Sequence, residues 1–123
     1  MSKLEFATQM QARTKRFAVQ VIKFFVKLPK TDEGRVLGRQ LLRSGTSVAA
    51  NYRAVCRAKS QADFISKLGT TVEEADESLL WLELLEDSAV CAGWMVAPLK
   101  SEVDELVRIL QTSLTTAKGK TGP

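Results

Sequence analysis

The stretch RTKRFAVQVIKFFVKLP, residues 13–29, decides the fold class. Phe17, Val21, Phe24 and Leu28 recur at steps of three and four, with Ala18, Ile22 and Phe25 beside them, so one side of a helix is continuously apolar. Extended upstream, the pattern predicts a first helix over about 6–28. Pro29 ends it, because proline has no N–H for the ladder and pushes Leu28 out of the helical region.

The same periodicity recurs downstream. A second helix is expected from Thr31 or Asp32, either of which can cap it, to about Arg57, with Leu37, Leu41, Val48, Tyr52 and Val55 inward. Its centre, Ser44-Gly45-Thr46-Ser47, is a poor helix former, and the small residues suit a tight crossing with another backbone. Ser60-Gln61-Ala62-Asp63 approximates a capping box and opens a third helix to about Asp87, with Phe64, Leu68, Val72, Ala75, Leu79 and Leu82 as its stripe and Trp81 and Leu85 widening it. Residues 88–97 read as a connection holding Gly93 and Trp94. Pro98 suits the first turn of a fourth helix to about Thr116, with Leu99, Val103, Leu106, Leu110 and Leu114 inward. The expectation is an all-α, up-down-up-down four-helix bundle, one domain over 1–117, with a flexible tail over 118–123.

Composition narrows the chemistry. The 123 residues contain no histidine, which removes the commonest general base and metal ligand. Cys56 and Cys91 have neither metal spacing nor the density of a disulfide framework, and read as reduced, buried thiols of a cytoplasmic protein. No signal peptide or membrane span is evident. Ser44, Thr46, Ser47 and Asn51 look like hydrogen-bonding residues of a crossing, with Asn51 able to fix register; without a base none is an activated nucleophile. The reading is of a non-enzyme with no metal and no cofactor.

Charge is unevenly placed. Residues 1–30 carry seven Lys/Arg and one Glu (+6), residues 31–60 six Lys/Arg and two acids (+4), residues 61–90 one Lys and eight acids (−7), and residues 91–123 sum to +1, giving the net +4. On the first helix Arg13, Arg16, Gln20, Lys23, Lys27 and Lys30 form a stripe opposite the apolar one; on the second, Arg39, Arg43, Arg53 and Arg57 align through Thr46 and Ala50. Such faces can track a phosphate backbone. No aromatic residue is interleaved with them, so base stacking is not expected. The acids Glu73, Asp76, Glu77, Glu83 and Asp87 suit a basic helix, in this subunit or another, better than a di-iron site, which needs histidines. The apolar stripes, with Leu80, Trp81, Leu84 and Trp94 added, are wide for a monomer and suggest head-to-tail self-association.

Gln40-Leu41-Leu42-Arg43-Ser44-Gly45-Thr46-Ser47-Val48-Ala49-Ala50-Asn51-Tyr52 resembles the signature of the four-helix-bundle proteins encoded in intervening sequences of bacterial 23S ribosomal RNA genes. Arg13-Thr14-Lys15-Arg16-Phe17-Ala18, Arg57-Ala58-Lys59-Ser60, Asp63-Phe64 with Lys67-Leu68, and Glu73-Glu74-Ala75-Asp76-Glu77 followed by Trp81-Leu82-Glu83-Leu84-Leu85 are similar to it in the same order, over about 10–112. The resemblance implies a homopentameric ring, with Gln40, Arg43, Ser47 and Asn51 as signature positions. It also brings in a relative, the accessory variability protein of diversity-generating retroelements, a basic pentamer that binds nucleic acid and works with a reverse transcriptase. Most of the family is uncharacterised. The family's usual Glu after the Asn is missing here, where Arg53-Ala54 stands, so the surface is more basic. The resulting expectation is an oligomer binding RNA or DNA with little sequence preference through Arg13, Arg16, Lys23, Lys27, Arg39, Arg43, Arg53 and Arg57. The alternative is an adaptor for a protein partner, with basic and acidic helices paired between subunits.

Overall fold

A computed structural model describes residues 1–119. Within them lie four helices and no strand: α1 (Lys3–Lys27), α2 (Asp32–Cys56), α3 (Gln61–Asp87) and α4 (Gly93–Gly119). At 25 to 27 residues each, they are about 40 Å long. Consecutive helices pack as antiparallel neighbours, and α4 returns to α1 in a looser closing contact.

Local chemistry sets the ends. Ser2 and Glu5 form a reciprocal capping box, so α1 begins three residues before Phe6. Leu28 leaves the helix with φ −68° and ψ 148°, as the following proline requires. Thr31 caps α2 by accepting the Gly34 N–H, and Ser60 caps α3 by accepting the Asp63 N–H. The Asp63 carboxylate accepts from the Lys67 ammonium at 2.8 Å and the Lys59 N–H at 3.0 Å. These two donors hold its pKa below the usual carboxylate range.

The α3–α4 connection is shorter than the sequence suggests. Ala89 turns the chain with φ 57°, and α4 starts at Gly93. A Cβ on Gly93 would lie 2.9 Å from Glu86 Oε2, so the bare glycine lets that carboxylate approach the helix start. Pro98 therefore sits inside α4 rather than in its first turn, and Trp94 belongs to the helix rather than to a loop. A proline near a helix start forfeits one backbone hydrogen bond and leaves most of the ladder intact. At the other end Lys118 and Gly119 are still helical; the rest of the expected tail, 120–123, lies outside the described residues.

Most of the expected core is buried, but Leu37, Phe64, Val72 and Leu79 are half-buried at its edge, Ile22 is 44% exposed, and Met10 and Val96 join it. Phe17, Val21, Leu41, Val48, Leu68, Leu82, Leu106 and Leu110 are almost completely shielded from solvent. The small residues of α2 are a crossing. A Cβ on Gly45 would fall 2.9 Å from Val21 Cγ2, and one on Gly38 would fall 2.8 Å from Leu28 Cδ1. On the other side of α2, Ser44 Oγ meets Ser78 Oγ of α3 at 2.8 Å, fully buried. Asn51, by contrast, donates to the Ser47 carbonyl of its own helix and does not bridge helices as a register residue would. The cysteines are not the buried pair expected: Cys56 is exposed at the end of α2, and Cys91 is half-buried in the connection.

Gly45 and Gly69 are both mid-helix but differ in surroundings, since a Cβ on Gly69 would meet nothing. Gly69→Ala is expected to stabilise by about 1 kcal/mol through helix propensity. Gly45→Ala is expected to destabilise despite the same gain, because α1 must give way. Thermal unfolding followed by circular dichroism checks both; equal upward shifts in Tm would refute the close crossing.

Candidate nucleic-acid interface

The rotation of α1 in the bundle decides what its surface offers. Val21, Phe25 and Leu28 face the α2 glycines, while Arg13 reaches across to α4. Between these two directions, Val19, Ile22 and Val26 point away from the core and are 42%, 44% and 66% exposed. The basic stripe is thus not opposite the apolar one, as the sequence suggests. Helical spacing sets Arg16, Lys23 and Lys27 on the flank toward α4, beside an outward apolar strip. Arg39, Arg53 and Arg57 occupy the outer surface of α2, on the far side of that strip. Two rows of cations therefore border a strip of aliphatic side chains.

The eight candidate residues divide into two kinds. Arg13 is an internal tie. Its Nε and Nη2 donate to the two Glu102 carboxylate oxygens, each at 2.8 Å, and Nη2 lies 3.2 Å from Glu105. The hydrogen bonds to Glu102 raise its already high pKa further, against the cost of burial. Arg43 spans the α2–α3 seam, with Nη1 3.6 Å from Glu74 and Nη2 3.3 Å from Glu77. Arg16, Lys23, Lys27, Arg39, Arg53 and Arg57 are exposed, and none has a carboxylate within ion-pair distance among the described residues. Arg35 shares their situation one turn before Arg39. Its spacing in the α2 row was the signal that would have found it.

The signature residues Gln40, Ser47 and Asn51 are half-buried on the edge of α2 nearest α3, beside Arg43. Glu74 Oε2, the oxygen 3.6 Å from Arg43 Nη1, and the Trp81 indole N–H are both buried without a hydrogen-bond partner among the described residues. Among the described residues, Glu77 alone of the acidic stripe meets a candidate base; Glu73, Asp76, Glu83 and Asp87 remain on the surface.

Trp94 is the residue that sequence reasoning placed wrongly. It stands in the first turn of α4 and is 78% exposed. Its level follows from the antiparallel pairing of α1 and α4. It precedes Glu102 by eight residues and Glu105 by eleven, and the same offsets beyond Arg13 reach Val21 and Phe24. Trp94 therefore lies at the height of Lys23, across the loosely packed α1–α4 seam.

No metal-holding group of three or more Cys, Asp or Glu residues occurs among the described residues, and no described helix is long and apolar enough to cross a membrane. The open hollow at the far end of the seam, lined by Phe6, Met10, Arg13, Arg16 and Ile109, is shallow and largely apolar.

The division between tied and untied cations has a mutational signature. Arg13→Ala is expected to lower stability by about 1 kcal/mol, because it strands Glu102 in a partly shielded site. Arg16→Ala is expected to stay within about 0.5 kcal/mol of the parent. Urea denaturation of the two variants checks the pair, and an Arg13→Ala midpoint equal to the parent's would contradict the tie.

The 23S rRNA-intervening sequence protein family model matches residues 7–112. A solved structure of a protein of unknown function from the S23 ribosomal protein family of Bacteroides thetaiotaomicron VPI-5482 superimposes with a TM-score of 0.82. It is 30% identical, and the match covers 89% of this chain and 97% of that one. No curated protein matches. The quoted motifs, the helix order and the matched span agree: this chain is a member of the 23S rRNA-intervening sequence protein family.

Proposed function

We propose that the protein is a non-enzymatic, homopentameric assembly that binds RNA or DNA through its basic surface without strong sequence preference. One observation carries the nucleic-acid reading. Six of the eight candidate cations stand exposed with no carboxylate beside them among the described residues, in two rows on adjacent helices. A polyanion laid along such rows releases counterions at each phosphate it meets, so its affinity depends on charge and spacing, not on base identity. Arg13 and Arg43 act mainly as structural ties in this reading.

The assembly rests on the exposed aliphatic residues. Val19, Ile22 and Val26 make a strip on α1, while Leu80 and Leu84 stand among the carboxylates of α3. Two different apolar patches set in surfaces of opposite charge favour a heterologous contact, which closes into a ring when the rotation is right. The unpartnered carboxylates Glu73, Asp76, Glu83 and Asp87 favour a second reading, an adaptor in which these acids meet the basic rows between subunits.

Gel retardation at low salt with duplex DNA and single-stranded RNA separates the two. Binding is expected for both, with log K falling linearly in log salt by about 0.9 per duplex phosphate contacted and about 0.7 per single-strand phosphate. Arg39→Glu, Arg53→Glu and Arg57→Glu combined are expected to weaken binding by more than about tenfold. No retardation at low salt would remove the nucleic-acid reading. An assembly whose sedimenting mass collapses with rising salt would favour the adaptor. Val19→Glu with Ile22→Glu is expected to reduce the mass to that of smaller species at any salt.

A further inference from the structure

We infer that Trp94 is a stacking platform for an unpaired base of a single-stranded nucleic acid whose phosphates lie on Lys23, Lys27 and Arg16. This rests on the nucleic-acid reading above and narrows its substrate to strands with accessible bases.

Three observations converge. Trp94 is the largest exposed side chain of the protein: at 78% its indole is almost as open as the terminal Met1 at 79%. A large aromatic surface left in water is unusual without a use, since burying it would have been strongly favourable. Its height in the bundle, opposite Lys23, puts it beside the α1 cation row. Lys27 lies one turn beyond Lys23 and Arg16 two turns before it.

The acids on the α1 side of α4 are engaged, and the unengaged Glu83 and Asp87 stand on α3 within electrostatic reach of Lys100. Glu102 and Glu105, further along the seam on α4, are engaged by Arg13. Glu86, near the start of α4, pairs with Lys100 at 2.9 Å on the side of α4 nearest α3. Lys23, Lys27 and Arg16 have no such partner. An aromatic face next to unneutralised cations is the arrangement that single strands need: phosphates to the charges, a base to the ring. A duplex, with its bases already stacked, gains from the cations alone.

The test uses the full-length protein with oligo(U), oligo(dT) and a duplex DNA of equal length, titrated by fluorescence anisotropy at low salt. Trp94→Leu is expected to weaken both single strands by about tenfold, to leave the duplex affinity unchanged, and to keep the slope of log K against log salt. Trp94→Phe, which retains a ring, is expected to recover most of the loss. Oligo(U) and oligo(dT) together tell whether the strand is RNA, DNA or either. Single strands bound by Trp94→Leu as tightly as by the parent would overturn the platform while leaving the nucleic-acid reading intact. Failure of the parent to bind any of the three ligands would overturn both. A Trp94→Leu variant with altered sedimenting mass and unaltered single-strand affinity would assign Trp94 to a subunit contact and refute the inference.

Discussion

The approach of Val21 to the bare backbone of Gly45 is the contact on which the surface of this protein depends. Helices normally keep apart by the width of their side chains. Here Gly38 and Gly45 remove two of those side chains from α2, and Phe25, Leu28 and Val21 of α1 fill the space. That fixes how α1 is rotated. With its 21–25–28 edge turned to α2, and Arg13 tied to Glu102 on the other side, Val19, Ile22 and Val26 can only face outward. The cations are then divided into two rows with an aliphatic strip between them.

Most of this architecture was legible from period and punctuation. The stripes Phe17 to Leu28 and Leu99 to Leu114 are buried as read, and Pro29, Thr31 and Ser60 mark the helix ends they were expected to mark. Legibility failed where a residue's usual position competed with its local context. Pro98 is favoured at a helix start, so the sequence points to a start there. The left-handed turn at Ala89 and the Glu86 contact at Gly93 allow α4 to begin earlier. This error hid Trp94, because a tryptophan in a loop has no face, whereas one in a helix has a level and a direction.

The candidate site was less legible for a related reason. A linear sequence shows that Arg13 and Arg16 share a stripe, but not that the α4 carboxylates come within 2.8 Å of one and leave the other alone. Charge pairing between helices depends on the register of the packed bundle, which the apolar pattern does not print. The same holds for Arg43, which shares its row with Arg39 yet leans to Glu74 and Glu77 across the α3 seam. Among the described residues, pairing of α1 or α2 cations with α3 acids is confined to that seam, and most α3 acids remain on the surface.

The proposed preference for charge over base identity follows from how the exposed cations are held. Recognition of a base sequence needs donors and acceptors fixed on rigid positions against base edges. The exposed cations of the two rows stand on long, flexible stems that are not held by neighbouring side chains among the described residues, beside an aliphatic strip. On the proposed reading, such a surface would distinguish ligands by charge density and, through the exposed indole, by whether a base can leave its stack. A strip of valine and isoleucine between the cation rows would be a poor surface for phosphates, which must keep their hydration. Covering it with another subunit would remove that obstacle and carry the rows of successive copies around one particle. Weak contacts on each copy would then act at high effective concentration, so that affinity arises from repetition where no single site supplies it.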